Sequence, residues 1–314
     1  VATDFLKEMS SEFESKEVTE ALVKLFAKIS GDRNPYHLDK EYASQSRYQA
    51  QIGHGILTVG LALEQIGKRL PAYVPDSFEV SRFTAPVRFG DRVRVIVTEA
   101  RTEFAGEKLF LQYTVKNQED VAILDGNVEL RPRVPSDGFE SWSSALGQNV
   151  AQLMDSAHDW SRSVEPFPVR PAPKLLVGDS ARYETTFSNE RIGATTAIFD
   201  DSPWMTALIA TQVIAQASAE FSPGFILVGL EVSDVNRPPV LNETLSIDAV
   251  ISRQSTLAHR PLDRIRIDVM ASDSEGLVYS GAVYKESESP VEPTPLATAG
   301  PYLGSEFLVP ATAR

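Results

Sequence analysis

Two short polar segments of the chain place groups that could catalyse a reaction on a carbonyl compound. Asp32, Asn34 and His37 lie within the ten-residue segment SGDRNPYHLD, and Pro35 constrains the backbone between them. His54 follows between two glycines, so two of the four histidines in the chain belong to these segments. A carboxylate and an imidazole that share one water molecule can activate it and later return its proton.

The second segment, Gly53–Gly55, directly precedes an apolar stretch that predicts a buried helix. The first N–H groups of a helix have no intrahelical acceptor and lie at the positive end of its dipole. Gly53 and Gly55 leave these N–H groups uncovered, so we expect them to form an oxyanion hole for a carbonyl oxygen. Base, water and oxyanion donor together suit enolate formation from a thioester. Taken alone, D-x-N-P is also a good turn sequence in which the histidine has only a surface role.

Composition narrows the classes of protein and of site. The 314 residues, 42% hydrophobic and 23% charged, are typical of about two globular domains. The chain has no cysteine, which excludes disulfides, thiolate metal sites and a cysteine nucleophile. The net charge of −13 argues against nucleic-acid and anionic-membrane binding. We expect no cofactor, and no metal because Asp32 and His37 alone offer too few ligands.

Location and membrane association are predicted from the same composition. No apolar run reaches the roughly 18 residues of a membrane span. The acidic N-terminal stretch is not typical of a signal or transit peptide. We therefore expect a cytoplasmic protein that does not enter a membrane.

Hydrophobic periodicity predicts the elements that must position the two segments. Apolar residues at spacings of three and four indicate a helix over 17–30, with Ser15 as its N-cap. A helix that is apolar on almost every face follows over 56–70. Alternating segments then predict an antiparallel set of strands between residues 78 and 131. A buried helix followed by such strands indicates a helix wrapped by a curved sheet.

The predicted order of a buried helix followed by antiparallel strands occurs twice in the chain. Two pairs of segments resemble each other, and a second apolar helix is predicted over 205–221. The pairs are 80–100 with 232–252 and 111–130 with 265–284, in which Gly126 corresponds to Gly281. The repeat predicts two similar domains.

The segment FAKISGDRNPYHLDKEYA, followed by QIGHGILTVGLALEQIG and by the P-V-x-x-G-D pattern from Pro86 to Asp91, resembles the MaoC-like, (R)-specific enoyl-CoA hydratase family. The resemblance implies an α+β double hot-dog fold, in which two central helices are each wrapped by a curved antiparallel sheet and the sheets join side by side. The expected domains are an N-terminal hot-dog unit, a linker, a degenerate C-terminal hot-dog unit and an irregular tail. Their expected limits are 1–135, 136–175, 176–288 and 289–314.

The resemblance also assigns roles within the two segments. Asp32 and His37 correspond to the catalytic pair, and Gly55 to the glycine whose N–H polarises the thioester carbonyl. Asn34 and His54 are grouped with the substrate-binding residues, Asn34 as the residue that orders the loop and His54 as a supporting or packing residue. From their charge, Arg82 and Arg88 are further candidates, for the phosphates of the carrier.

The second unit departs from the family pattern. The segment RIGATTAIFDDSPWMTALIA keeps Asp200, Asp201 and Pro203 but lacks the asparagine and the histidine. We expect no second active site there, and expect this unit to complete the sheet and shape the acyl tunnel. The large residues proposed for that tunnel are Trp204, Met205 and Phe221.

The predicted function is that of a hydro-lyase. It would hydrate a 2-enoyl thioester with (R) specificity, or dehydrate a (3R)-hydroxyacyl thioester, carried by CoA or by an acyl carrier protein. Two alternatives stay open at this point: a biosynthetic enzyme that cyclises, isomerises or hydrolyses a carrier-bound acyl chain, and a non-catalytic protein that binds acyl thioesters. A fused pair of units is compatible with a monomer or with a homodimer.

Overall fold

A computed structural model describes residues 16–103, 107–134, 164–167, 175–200, 202–222, 225–256 and 263–287. The described part of the first unit contains β1 (Lys16–Glu17), α1 (Glu20–Ser30), α2 (Pro35–Leu38), α3 (Lys40–Gln45), α4 (Gly55–Arg69), β2 (Tyr73–Phe83), β3 (Arg92–Glu103), β4 (Lys108–Lys116) and β5 (Ala122–Pro132). The second contains β6 (Ser180–Thr186), α5 (Asn189–Phe199), α6 (Met205–Phe221), β7 (Phe225–Val235), β8 (Thr244–Thr256), β9 (Asp263–Asp273) and β10 (Gly276–Ser287).

The ten strands form one antiparallel sheet whose two halves have the same order. The order β1-β3-β4-β5-β2 continues as β7-β10-β9-β8-β6, so each strand of the first half has its counterpart in the second. The halves meet where β2 pairs with β7, through Phe78–Val80 and Leu230–Val232. This is the double hot-dog architecture that the sequence predicted, and it confirms the internal repeat.

The central helices α4 and α6 lie against the sheet and against each other. α4 is buried from Ile56 to Gly67, as its apolar sequence predicts. Two of its glycines allow close contact with the second unit: a Cβ at Gly60 would lie 2.6 Å from the ring of Phe199, and one at Gly67 would lie 2.7 Å from that of Trp204. The small residues therefore bring the two units together along α4.

A buried charge on α4 also joins the two units. Glu64 is 1% exposed, and its carboxylate pairs with Lys68 at 2.5 Å. Lys68 pairs in turn with Asp200 at the C-terminal end of α5, at 2.7 Å, and Lys16 approaches both carboxylates. Burial raises the pKa of Glu64, while the neighbouring lysines lower it.

One boundary prediction was wrong. The first helix begins at Glu20 rather than at residue 17, and its N-cap is Thr19, whose hydroxyl accepts from the N–H of Leu22 at 3.1 Å. Lys16–Glu17 instead form the edge strand β1, which pairs with Arg92–Val93. A local periodicity cannot show this, because the strand depends on a partner far along the chain. Ser15 lies outside the described residues.

The domain limits stay predictions. Of the expected linker 136–175, only 164–167 and Leu175 are described, and the expected tail 289–314 lies outside the described residues. Within the described ranges, no helix has both the length and the apolar character needed to cross a bilayer.

Candidate active site

The loop between α1 and α2 holds Asp32 through a chain of local hydrogen bonds. The Ser30 hydroxyl donates to Phe26 O at 2.6 Å and accepts from the Asp32 N–H at 3.2 Å. The Asp32 carboxylate accepts from the Asn34 N–H at 3.2 Å, and the Asn34 side chain caps α2 by accepting from the Tyr36 N–H at 3.3 Å. The sequence S-G-D-R-N-P therefore forms a self-bonded turn.

His37 lies on α2 and is oriented by the segment that precedes α4. Its Nδ1 lies 3.0 Å from Ile52 O, and the Gln51 amide donates to His37 O at 3.1 Å. Because a carbonyl only accepts, Nδ1 carries the proton and Nε2 keeps a free lone pair. Burial lowers the pKa of His37, Asp32 and the Ile52 bond oppose that shift, and Lys285 adds to it. The imidazole is therefore a neutral proton acceptor near pH 7.

His54 connects the two catalytic candidates without lining the cavity between them. It is 1% exposed, its ring centroid lies 3.8 Å from that of His37, and its Nε2 donates to Asp32 O at 2.9 Å. Burial and the neighbouring His37 hold the pKa of His54 well below its usual value. The structure thus places His54 behind Asp32 and His37 and outside the cavity wall.

His54 completes a group of three potential metal ligands, of which the sequence predicted only Asp32 and His37. One atom from each of Asp32, His37 and His54 lies within 4.8 Å of the others. Two of the four imidazole nitrogens already face backbone carbonyls. The absence of a metal therefore stays a prediction that a chelator can test.

A cavity that is partly open to solvent lies in front of Asp32 and His37. Both units line it. The first unit contributes the loop 31–34 between α1 and α2, named the catalytic loop after its expected role, together with the start of α4 and the segment after β2. The second unit contributes the end of α6, the start of β7 and one residue of β10. The apolar members of this lining are Ile52, Ile56, Phe83, Ala85, Pro86, Val87, Ile123, Ala219, Phe225, Ile226, Leu227 and Val228. Such a wall suits an acyl chain.

Gly55 is the first residue of α4 and lines this cavity. Its N–H belongs to the first turn, which has no intrahelical acceptor. A Cβ at Gly55 would lie 2.8 Å from the Phe83 ring, so glycine lets that ring approach the start of the helix. The cavity thus has an N–H donor at a helix N-terminus close to the carboxylate and the imidazole.

The prediction of which residues of the second unit line the tunnel was wrong. Trp204, Met205 and Phe221 do not line the cavity. Trp204 lies at the other end of α6, where its indole donates to Tyr73 O at 2.8 Å. α6 reaches the cavity with Ser218 and Ala219 instead, because its C-terminal end lies beside the start of α4.

The two predicted arginines do not line the cavity either. Arg82 is paired with Asp125 at 2.8 Å on an exposed part of β2. Arg88 donates to Tyr48 O at 2.8 Å, and so supports a residue of the cavity wall rather than forming it. The cationic residues that do line the wall are Arg47, stacked on Tyr48, and Lys285.

The sequence held a signal for one of these missed residues. In β10, Tyr279, Val283 and Lys285 lie at alternating positions on one buried face. A lysine on the buried face of a predicted strand is therefore an anomaly that could have been found. Arg47 lies in the spacer between the two polar segments, where no periodicity indicates its direction.

Comparison with known proteins identifies the family of this chain. The family model described as MaoC like domain matches residues 5–120. A 3-hydroxybutyryl-CoA dehydratase of Methylorubrum extorquens is 37% identical over 119 residues, which are 37% of this chain and 74% of that protein. The chain belongs to the MaoC-like family.

A second curated relative and two solved structures also resemble this chain. An (R)-specific enoyl-CoA hydratase of Rhodospirillum rubrum is 37% identical over 112 residues, or 34% of this chain and 74% of that protein. The structure of a putative MaoC domain dehydratase from Chloroflexus aurantiacus matches with a TM-score of 0.61 and 14% identity, and the match covers 88% of this chain and 95% of the other. A Mycobacterium tuberculosis protein described as a double hotdog fold matches with a TM-score of 0.59 and 15% identity, over the same shares. These two structures show the fold of both units.

Proposed function

We propose that this MaoC-like chain hydrates 2-enoyl thioesters with (R) specificity and, in the reverse direction, dehydrates (3R)-hydroxyacyl thioesters. One observation carries the proposal: Asp32, His37 and Gly55 line the same largely apolar cavity. The names of the Methylorubrum and Rhodospirillum relatives describe the two directions of such a reaction. CoA is the proposed carrier, and an acyl carrier protein is a possible second one.

The proposed roles follow from the free atoms of each group. A water molecule held between the Asp32 carboxylate and His37 Nε2 loses a proton to Nε2, which has the free lone pair. Its oxygen forms a bond to C3 of the substrate, and the electrons of the C2–C3 double bond move onto the thioester oxygen. The Gly55 N–H stabilises that charge. The imidazolium, stabilised by Asp32, then returns the proton to C2, so that the atoms of water are added in total.

The proposal assigns different roles to the two units. Residues 1–135 supply the reacting groups, and 176–288 complete the cavity wall that holds the acyl chain. The connection that leads to the central helix of each unit supports these different roles. α1 and α4 are separated by the catalytic loop, α2 and α3, whereas α5 is followed by α6 after only the segment 200–204. The second unit thus has no room for a corresponding loop.

The test is hydration of crotonyl-CoA and of a longer 2-enoyl-CoA, followed by the loss of enoyl-thioester absorbance. We expect Asp32→Asn and His37→Gln each to lower kcat by about 10²- to 10⁴-fold. Asp76→Asn, which removes a carboxylate paired with Arg131 at 2.8 Å outside the cavity, is the control and should keep the wild-type rate. Wild-type turnover that both catalytic variants retain would contradict the proposal.

A further inference from the structure

Lys285 is a buried cation that the proposed reaction does not use. It lies on β10 of the second unit, is 3% exposed, and lines the same cavity as Asp32 and His37. Long charged side chains are almost never buried unless they are paired. A buried lysine at the wall of a cavity therefore calls for a ligand or a partner.

Among the described residues, the hydrogen bonds of Lys285 leave one of its donors unused. Its ammonium donates to Ser218 O at 2.8 Å and to Ser222 O at 3.1 Å, at the C-terminal end of α6. An ammonium group has three N–H donors. No carboxylate of the described side chains lies within 4.0 Å of it, although Asp32 acts on it electrostatically from farther away. The two carbonyls thus fix the ammonium in place without neutralising its charge.

In the first unit, the strand position equivalent to Lys285 holds an apolar residue. Lys285 pairs with Leu227 on β7 and with Ile265 on β9. In the first unit, Leu130 has the equivalent register, since it pairs with Pro75 on β2 and with Leu109 on β4. Leu130 is 0% exposed. A lysine therefore replaces a core residue in the copy of the strand that faces the cavity.

The surroundings of Lys285 indicate what kind of ligand its remaining N–H donor would bind. On its own side of the cavity the wall consists of Phe225, Ile226, Leu227 and Val228 beside the end of α6. Burial lowers the pKa of Lys285 to about 8, which leaves most of the ammonium protonated at pH 7. A charge-assisted hydrogen bond to an anion is the strongest contact that such a group can make.

We propose that Lys285 binds a carboxylate carried by the acyl chain of the substrate, so that the preferred thioesters have an acidic group beyond the reacting double bond. This inference rests on the proposed function, because it places the acyl chain between the catalytic pair and the wall of the second unit. It narrows the substrate class from apolar 2-enoyl thioesters to those with a second carboxyl group, and it assigns the selection to the degenerate unit.

The test is a binding measurement that does not depend on turnover. Saturated CoA thioesters are compared in pairs of equal chain length by isothermal titration calorimetry: butyryl with succinyl, pentanoyl with glutaryl, and hexanoyl with adipoyl. We expect the wild-type chain to bind at least one carboxylated member about 10- to 100-fold more tightly than its apolar partner. Lys285→Met, which keeps most of the length of the side chain and removes its charge, should abolish that preference and leave the binding of the apolar member within about twofold.

The control is Lys116→Met, which removes a lysine of β4 that pairs with Asp120 outside the cavity. It should keep the wild-type preference. Equal binding within all three pairs, or a preference that survives in Lys285→Met, would overturn the inference. Hydration of crotonyl-CoA without any preference for carboxylated ligands would refute the role of Lys285 and leave the hydratase proposal standing. A preference for carboxylated ligands in a protein that does not hydrate crotonyl-CoA would support the role of Lys285 and refute the hydratase proposal.

Discussion

Replacing His54 with phenylalanine tests whether a residue behind the cavity positions the catalytic groups. The imidazole donates to Asp32 O at 2.9 Å and stacks on the His37 ring at 3.8 Å. A phenyl ring has a similar shape and can keep the stacking contact, but it has no N–H. The substitution therefore removes the bond that ties the catalytic loop to the start of α4.

The expected magnitudes follow from these contacts. A buried carbonyl that loses its donor costs about 1–3 kcal/mol of unfolding free energy. His54 Nδ1 already has no hydrogen-bond partner among the described residues, so removing that polar atom offsets part of the loss. The net destabilisation should be about 1–2 kcal/mol. A displacement of about 1 Å at Asp32 lowers the rate by about 10²-fold, so kcat should fall about 10- to 100-fold.

Urea unfolding measures the first quantity and hydration of crotonyl-CoA measures the second. His54→Gln is the matched control, because its amide N–H can reach the position of Nε2 and should restore most of the rate. A folded His54→Phe variant with a kcat within twofold of the wild type would refute the reasoning, since it would show that His54 only fills space.

Two further predictions concern pH and packing. Burial lowers the pKa of His37, and catalysis needs its neutral form. The midpoint of the fall in kcat/KM on the acid side should therefore lie below pH 6.5. A midpoint above pH 6.5 would contradict this. Gly281→Ala would push a Cβ into the carbonyl oxygen of Glu231 and should lower the unfolding free energy by about 1–3 kcal/mol in urea. Gly229→Ala, with 3.2 Å between the new Cβ and Val80 O, should cost less, and equal losses would contradict the packing argument.

Elements that depend on local periodicity were predictable from the sequence. The segment KLFLQYTVK coincides with β4, Lys108–Lys116, because its alternating apolar residues all face one core. The apolar stretch after Gly55 coincides with α4 for the same kind of reason. The edge strand Lys16–Glu17 was missed, because two residues have no period and the strand exists only through its pairing with β3.

The sequence by itself was enough to predict the fold and the proximity of three polar residues. Asp32, Asn34 and His37 lie close together along the chain, and a turn of short-range hydrogen bonds holds them there. The two repeated sets of helix and strands likewise follow from patterns within each copy.

Only the tertiary structure decided what faces the cavity. The pairing of β2 with β7 and the packing of α4 against α6 bring Lys285 and the end of α6 to the catalytic loop. The same packing places Trp204 at the far end of α6, and the register of β2 with β5 pairs Arg82 with Asp125 on an exposed site. Side chains that converge from distant segments depend on strand register and helix direction, which local sequence patterns do not encode.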